Sequence, residues 1–276
     1  MAFSSGSPVS LTRVLHSCIL AASGREKILV DPCFGIFASR PLTSRIFGIT
    51  MPPPALQPGE IAGLSLLALT HGHEDHFDAE GVARLPSRGT RVVVGQRRLA
   101  RKLAGLGFRD TEVLRPWESA AGEGWRIQAV PARAPNAPGE ISFVLTLGGL
   151  GIFHGGDTAA HTSFEEIRER CAPAVACLPV SGVSMLGVRL TMTPGQAAKA
   201  ARSLGVRLAI PIHEEMAFGR LSRLLYRAPG TGARFEACLR RAAPGIRCLR
   251  PERGEPVRLD TAIPPPGMLE PGAPRL

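Results

Sequence analysis

Three histidines and three acids lie within residues 70–78 of this chain. The whole sequence contains only 7 histidines, so this is a strong local concentration. Neutral imidazole and carboxylate groups are the usual protein ligands of Zn²⁺ and related cations. The spacing H-x-H-x-D-H of His71, His73, Asp75 and His76 does not fit one face of a helix, but it can converge in a tight loop. We therefore predict a metal site there, against the alternative of a polar loop with incidental histidines.

Apolar runs that are typical of buried strands precede the candidate ligands. The run 64–69 leads directly into the histidine-rich loop, the run 151–153 precedes Asp157, and the run 207–210 precedes His213. Ligands of layered α/β proteins tend to lie at such strand ends. Taken alone, Asp157 is more typical of a turn or helix cap and His213 of a satisfied polar residue, so both readings stay open at this point.

The order of predicted strands and helices indicates an α/β protein. Strands are predicted at 11–14, 18–22, 27–30, 64–69, 91–94, 112–114, 125–130, 141–147, 151–153, 174–178 and 207–210. Helices are predicted at 79–85, 96–106, 164–171 and 194–204, the last with Thr193 as its N-cap. We expect one domain over residues 9–256 and a Pro/Gly-rich tail without fixed structure over residues 257–276.

The H-x-H-x-D-H spacing is the signature of the metallo-β-lactamase superfamily, which the chain resembles. Matching stretches are His16-Ser17-Cys18, Asp31-Pro32, Gly155-Gly156-Asp157-Thr158, residues 191–197 and Pro211-Ile212-His213. Their order over roughly residues 9–216 resembles one branch in particular. That branch includes ascorbate-6-phosphate lactonase-like proteins and N-acyl-phosphatidylethanolamine phospholipase D.

The resemblance implies a four-layer αββα sandwich with a metal centre at the edge of two facing sheets. It also implies a role for each candidate ligand. His71 and His73 would hold a first metal, Asp157 would bridge two metals, and His213 would complete the second site with Asp75 and His76. The cofactor expected from this donor set is Zn²⁺, as one or two ions, with Mn²⁺ or Fe²⁺ as alternatives.

The chain departs from the superfamily at one ligand. The family supplies a third histidine to the first metal from a Pro-Ala-x-His stretch, and Pro131-Ala132-Arg133-Ala134 stands in that place. Ala134 cannot bind a metal, and the amide oxygen of nearby Asn136 is a poor zinc ligand. We therefore expect one tightly held metal and a second that is weak or absent.

The mechanism expected from this pattern is hydrolysis by metal-activated water. Asp75 is the candidate general base. His154 is the second catalytic candidate, with three roles left open: partner of a ligand, proton donor to a leaving group, or packed polar side chain. The bond attacked would be an ester, a lactone or a phosphodiester.

Three rival functions compete with hydrolysis of a small molecule. A metal-poor binding module of the same fold is supported by Ala134. A nuclease of the superfamily usually carries a large inserted domain, for which 276 residues leave little room. A peripheral lipid hydrolase would need an amphipathic face, for which 37–54 is the weak candidate.

The net charge of +10 comes almost entirely from scattered arginines. An anionic or phosphorylated small-molecule substrate is compatible with that charge. A specific nucleic-acid partner is not expected, because there is no block of like charges and aromatic residues make up only 5%.

The cellular location is predicted from cysteines and hydropathy. The 6 cysteines form no C-x-x-C pair, and no apolar run approaches the ~20 residues of a membrane span. We expect a cytoplasmic protein, with peripheral membrane contact and oligomeric state left open.

Overall fold

The structure is a computed structural model that describes residues 7–35 and 48–263. Its strands are β1 (Val9–Leu15), β2 (Cys18–Ser23), β3 (Glu26–Val30), β4 (Ile49–Thr50), β5 (Leu66–Leu69), β6 (Arg91–Val94), β7 (Thr111–Val113), β8 (Ser119–Ala121), β9 (Trp125–Pro131), β10 (Ile141–Leu147), β11 (Leu150–His154), β12 (Val175–Pro179), β13 (Ser184–Met185), β14 (Val188–Arg189), β15 (Leu208–Ile212), β16 (Ala217–Phe218), β17 (Tyr226–Arg227), β18 (Arg247–Cys248) and β19 (Val257–Arg258). Its helices are α1 (Ala79–Val82), α2 (Arg97–Gly105), α3 (Phe164–Cys171), α4 (Pro194–Leu204), α5 (Ser222–Leu225), α6 (Gly232–Ala242) and α7 (Leu259–Ala262), with a 3₁₀ turn at Pro58–Glu60.

The described strands form two large sheets and two small ones. The first large sheet has the order β19-β1-β2-β3-β5-β6-β7, and the second has the order β18-β15-β12-β11-β10-β9-β8. The strands β3, β5 and β6 run parallel to one another, as do β11, β12 and β15. The small sheets are β14-β13-β17 and β16-β4.

Successive side chains on the strands of the first large sheet point to opposite faces and pack into two different hydrophobic clusters. Ile28 and Leu66 point toward the second sheet, where they join a cluster that contains Phe143. Leu29 and Leu67 point the other way, into a cluster that includes apolar residues of α2. This alternation is what a sheet buried on both faces requires.

The second large sheet is covered in the same way on its outer face. Its strand β12 sends Cys177 into the core between the sheets and Leu178 into an outer cluster with Ile167 of α3, Ala197 of α4 and Phe235 of α6. The order of layers is therefore helix, sheet, sheet, helix. The predicted αββα sandwich is confirmed.

Helix α4 begins as the sequence predicts. The Thr193 side chain accepts a hydrogen bond from Gln196 N, and the Gln196 side chain accepts one from Thr193 N, which forms a capping box. Pro194 occupies the first helical position, and Gly205 ends the helix in the left-handed conformation with φ 66°.

The predicted start of an unstructured tail at residue 257 is corrected by the described residues. Strand β19 pairs with β1, and Leu259 of α7 is fully buried in the core between the sheets. Structured chain therefore extends at least to residue 263, while 264–276 lie outside the described residues. Helix α6 had no counterpart in the sequence prediction.

The weak amphipathic candidate 37–54 falls largely on residues 36–47, which lie outside the described residues. Among the described helices, none combines the length and the apolar character needed to cross a membrane.

The strand ends that carry the candidate ligands meet at one edge of the sandwich. Parallel strands β3 and β5 end beside each other, and so do β11, β12 and β15. The turn between β1 and β2 connects the sheets there, because His213 N donates to His16 O at 3.2 Å. The fold thus brings ligands that are distant in sequence to a common edge.

Candidate metal centre

The loop after β5 is fixed by a buried carboxylate from the neighbouring strand end. Asp31 accepts hydrogen bonds from Thr70 N at 2.8 Å and from Thr70 Oγ1 at 2.9–3.0 Å. His73 O then accepts from His76 N at 3.0 Å and from Phe77 N at 2.8 Å, which closes a tight turn. The motif therefore curls, as its spacing requires.

Three histidines of the site have their Nδ1 atom occupied by a neighbour. His71 Nδ1 lies 3.0 Å from Thr70 Oγ1, and His76 Nδ1 lies 2.8 Å from Asp31 Oδ2. His213 Nδ1 lies 2.9 Å from Ser181 Oγ. Such partners fix the orientation of a ligand ring and leave its Nε2 for a cation. Asp31 thus positions His76 directly and His71 through Thr70.

A first donor set converges on one oxygen of Asp157. His213 Nε2 and His76 Nε2 lie 2.7 Å and 2.9 Å from Asp157 Oδ1, and Asp75 Oδ2 lies 3.5 Å from His213 Nε2. One ligand atom from each of these four residues falls within 4.8 Å of all the others.

These donor atoms also lack hydrogen-bond partners. His76 Nε2, His213 Nε2 and Asp157 Oδ1 are buried, yet none makes a hydrogen bond of acceptable geometry to the described residues. Buried polar atoms are normally satisfied, and an exception calls for an explanation such as a missing ion. The donor set therefore fits a divalent cation that all four residues would hold.

A second donor set uses the other oxygen of Asp157. His71 Nε2 lies 3.0 Å from His73 Nδ1 and 3.8 Å from Asp157 Oδ2, and one ligand atom from each of the three falls within 4.8 Å of the others. Asp157 thus presents one oxygen to each set, which is the geometry of a bridging ligand. This second set has three such donors, in agreement with the alanine at position 134.

The charges of the first donor set are strongly coupled. Burial acts to raise the pKa of Asp157, but His213 and His76 outweigh it and hold that pKa well below its usual value. Burial acts to lower the pKa of His213, but Asp157 and Asp75 outweigh it and raise it to about 9. A cation bound between these groups would replace protons on the histidines, so binding and proton release are linked.

Comparisons with known proteins show the family to which the chain belongs. The family model described as beta-lactamase superfamily domain matches residues 26–213. A "UPF0173 metal-dependent hydrolase" of Rubrobacter xylanophilus is 30% identical over 230 residues, covering 79% of this chain and 82% of the relative. One of Methanoculleus marisnigri is 31% identical over 213 residues, covering 74% and 80%. The chain belongs to the metallo-β-lactamase superfamily.

Solved structures of low sequence identity share the fold of this superfamily member. Igni18, a metallo hydrolase from Ignicoccus hospitalis, has a TM-score of 0.67 at 22% identity, covering 90% of this chain and 97% of that one. The metallo-beta-lactamase fold protein YhfI from Bacillus subtilis has a TM-score of 0.63 at 14% identity, covering 91% and 99%. The narrower likeness to the lactonase and phospholipase branch stays a prediction.

The candidate metal centre also contains His16, for which the sequence predicted no role. His16 is fully buried, its ring centroid lies 3.9 Å from that of His213, and its Nε2 lies 3.8 Å from Asp75 Oδ2. Neither ring nitrogen has a hydrogen-bond partner among the described residues. The signal was present in the turn His16-Ser17-Cys18, but nothing local linked that turn to the metal motif.

Glu140 is a second residue without a predicted role. Its Oε1 accepts from Asp157 N at 2.7 Å, and its Oε2 lies 3.7 Å from His71 Nδ1. Burial, helped by the charge of Asp157, raises the pKa of Glu140 well above its usual value. Glu140 therefore holds the backbone of Asp157.

His154 lies behind the centre of this superfamily fold rather than in its opening. Its Nε2 donates to Ser17 O at 2.9 Å, and its Nδ1 accepts from Gly156 N at 3.3 Å. The side chain is buried and lines neither of the two cavities at the metal ligands. Of the three roles left open, these contacts favour a packed structural one, and the proton-donor role remains an untested prediction.

Two cavities reach the candidate ligands. One of about 230 Å³ is lined by Asp75, Asp157 and His213 together with apolar side chains such as Phe218 and Tyr226. The other, of about 440 Å³, is lined by His71, His73, Gln96, Arg98, Leu99, Lys102 and Asn136, among others. Both donor sets therefore face a cavity that could hold a small molecule.

Proposed function

We propose that the protein is a hydrolase that uses metal-activated water at the Asp75/His76/Asp157/His213 set. One observation carries the proposal. His76 Nε2 and His213 Nε2 lie 2.9 Å and 2.7 Å from the same carboxylate oxygen, Asp157 Oδ1. These three atoms are buried and have no hydrogen-bond partner in the described chain. A divalent cation would satisfy all of them at once.

The cation we propose is Zn²⁺, with Mn²⁺ or Fe²⁺ as alternatives. Such an ion supplies a Lewis acid and lowers the pKa of its bound water to about 7. His71 and His73 would hold a second, weaker ion together with Asp157.

Asp75 is the proposed proton acceptor. Its carboxylate lines the 230 Å³ cavity, so it faces the position where water and substrate would meet. Burial acts to raise its pKa, but His213, whose Nε2 lies 3.5 Å from Asp75 Oδ2, and the charge of His76 outweigh that effect and lower it. Asp75 is therefore ionised at neutral pH, which is the protonation state that a proton acceptor requires.

The proposed substrate is a small molecule with an ester, lactone or phosphodiester bond, and an anionic group is favoured. Arg98 and Lys102 line the cavity that also contains His71 and His73. A negative group bound near these cations would lie beside the metal ligands. We place the reaction in the cytoplasm, because all 6 cysteines are unpaired.

The rival proposal is a metal-poor binding module of the same fold. It is supported by Ala134, which removes one ligand from the His71/His73 set. It is opposed by the four converging donors of the first set, which a relic without metal would have no reason to keep.

The test combines elemental analysis of the purified protein with a screen of model esters, lactones and phosphodiesters. We expect at least one divalent metal per chain and turnover that a chelator abolishes and metal restores. His213→Ala should lose both, whereas His161→Ala, which removes a histidine outside both donor sets, should keep both. A metal-free protein without hydrolysis would favour the binding module.

A further inference from the structure

The loop that lacks the superfamily histidine is fixed beside the bridging aspartate. Arg133 N donates to Thr158 Oγ1 at 3.0 Å, and Ala159 N donates to Arg133 O at 2.7 Å. Ala137 N then donates to Ala134 O at 3.2 Å, which turns the chain back. The residue presented by this turn is Asn136.

Asn136 faces both cavities of the metal centre. It lines the 440 Å³ cavity with His71 and His73, and it lines the 230 Å³ cavity with His73 and Asp157. Its Oδ1 atom is buried and has no hydrogen-bond partner among the described residues. A buried amide oxygen without a donor destabilises the fold unless something else satisfies it.

We propose that Asn136 Oδ1 is the missing protein donor of the His71/His73/Asp157 set. This inference rests on the proposed function, because it assumes that the centre binds divalent cations. An amide oxygen is uncharged and harder than an imidazole nitrogen. The set would therefore bind its ion more weakly than a three-histidine site and would suit Mn²⁺ or Fe²⁺ better than the usual arrangement does.

The test measures metal binding rather than activity. The holoprotein is depleted with a chelator, and equilibrium dialysis against graded free Mn²⁺ gives the metal content per chain. We expect a tight and a weak binding step. Asn136→Ala should raise the Kd of the weak step by about tenfold or more, the scale typical of residues that support metal ligands. The tight step should not change.

Two further variants separate ligation from a disturbed loop. Asn136→Asp restores an oxygen donor and should keep the weak step. Gln96→Ala removes the hydrogen bond from Gln96 Nε2 to Pro138 O at 3.0 Å, which supports the same loop, but removes no donor from the proposed set. It should keep both steps.

The outcomes distinguish this inference from the proposed function. A weak step that Asn136→Ala leaves within twofold of wild type, or that Gln96→Ala weakens equally, overturns the role of Asn136. The absence of a weak step in the wild type overturns it as well. The absence of both steps overturns the proposed metal-dependent function itself.

An independent observation concerns the surface next to the smaller cavity. The large apolar side chains that are exposed in the described part of the chain are Leu186 (73%), Val188 (54%), Leu221 (47%), Leu224 (76%) and Leu225 (41%). We call them the leucine patch. They lie in two segments that are joined, because β13 pairs with β17 and Leu186 N donates to Leu225 O at 2.9 Å.

The stability of the fold does not account for this patch. Leu186 has φ 49°, a left-handed conformation that is unusual and strained for a bulky side chain. Its side chain is also among the most exposed of the apolar residues. A strained and exposed leucine at a turn suggests selection for contact with another surface.

The charged residues in the two segments that carry the patch are all positive. Exposed arginines flank it at positions 189, 220, 223 and 227. The segments 183–190 and 216–230 contain no aspartate or glutamate. In a two-fold interface between copies of this chain, the same arginines would meet each other. An anionic lipid surface would match both the apolar and the charged groups.

We infer that the leucine patch and its arginines bind the surface of an anionic membrane. Phe218 and Tyr226, in the same segments, line the cavity that contains Asp157 and His213. Binding in this orientation would place the opening of the metal centre next to the lipid surface.

The test is sedimentation of the full chain with vesicles of phosphatidylcholine, with and without phosphatidylglycerol. We expect at least about tenfold stronger binding to the anionic vesicles, because each arginine near the surface is attracted by the anionic headgroups. The pair Leu186→Ser/Leu224→Ser and the pair Arg223→Glu/Arg227→Glu should each remove most of that binding.

The matched control is Arg97→Glu/Arg101→Glu, which changes the net charge equally on exposed positions of α2. It should leave most of the binding. An equal loss in this control would show attraction by net charge and overturn the assignment. Wild-type binding that is equally strong with and without phosphatidylglycerol would also overturn the assignment. So would a dimeric wild type that Leu186→Ser/Leu224→Ser converts to a monomer.

Discussion

At the scale of single residues, the centre depends on which nitrogen of each histidine is occupied. The sequence motif predicted the ligands, but two of the three residues that orient them come from distant positions. Asp31 and Ser181 hold the Nδ1 atoms of His76 and His213, whereas Thr70, which holds Nδ1 of His71, is its neighbour in sequence. The two distant partners follow only from the pairing of strands.

Asp75 gives the most direct prediction at this scale. Asp75→Ala removes both a metal donor and the proposed proton acceptor, so kcat should fall by at least about 100-fold. Steady-state kinetics at saturating metal measure the effect. Glu74→Ala is the matched control, because Glu74 lies in the same loop and belongs to neither donor set. Activity of Asp75→Ala within a few-fold of wild type would remove Asp75 from the mechanism.

His161 predicts how stability depends on pH outside the metal centre. Burial, and next the charge of Arg133, lower the pKa of His161 to about 4. The unfolded chain takes up this proton below about pH 6.5, whereas the folded chain does not. The contribution of His161 is therefore complete above about pH 6.5 and is lost as the pH falls toward 4.

The variant His161→Asn isolates this contribution. Its side chain can accept the hydrogen bond that Ser163 N donates to His161 Nδ1 at 3.2 Å, but it does not titrate. The urea midpoint should therefore fall less between pH 7 and pH 5 in the variant than in the wild type. Equal decreases would show that His161 carries no such linkage.

At the scale of elements, the sequence predicted the helices and strands that a short stretch of residues is enough to indicate. The run before the metal motif became β5, and the Thr193 capping box began α4. The motif, its position after a strand and the missing histidine at position 134 were all predictable. Helix α6 and the short strands β13, β14 and β17 were not, because they depend on tertiary contacts that no short window of sequence shows.

The turn between β11 and Asp157 gives a prediction for this scale. Gly156 has φ 58°, and a Cβ there would lie 2.8 Å from Glu140 Oε1 and 2.9 Å from Thr70 Oγ1. Both neighbours hold candidate metal ligands in position. Gly156→Ala should therefore lower the metal content per chain as well as the free energy of unfolding.

Gly149→Ala is the control for backbone strain alone. Gly149 also has a positive φ, 81°, but no neighbouring atom lies within 4 Å of the position that a Cβ would take there. The substitution should cost about 1 kcal/mol or more in the free energy of unfolding and leave the metal content unchanged. If both variants lose metal equally, the packing of Gly156 against Glu140 and Thr70 is not what matters.

At the scale of the whole molecule, the two sheets are joined by residues from both ends of the sequence. Strand β19 pairs with β1, and Leu259 packs in the core between the sheets. Composition indicated a Pro/Gly-rich tail here, but composition averages over a window and does not detect one buried leucine. The start of the tail was misplaced for that reason.

Leu259→Ala tests whether α7 packs in the core between the sheets. Truncation of a fully buried leucine costs about 2–5 kcal/mol, so the midpoint of urea unfolding should fall clearly. Leu186→Ala, at a leucine that is 73% exposed, should leave the midpoint nearly unchanged. Similar midpoints for the two variants would contradict the packing of α7 against the core.

The most direct test of the metal centre is an anomalous difference map from crystals grown with Zn²⁺ or Mn²⁺. We expect a peak about 2.0–2.2 Å from His76 Nε2, His213 Nε2 and an oxygen of Asp157, the usual length of such ligand bonds. A map with the cation elsewhere on the chain and nothing among these three atoms would contradict the proposed centre.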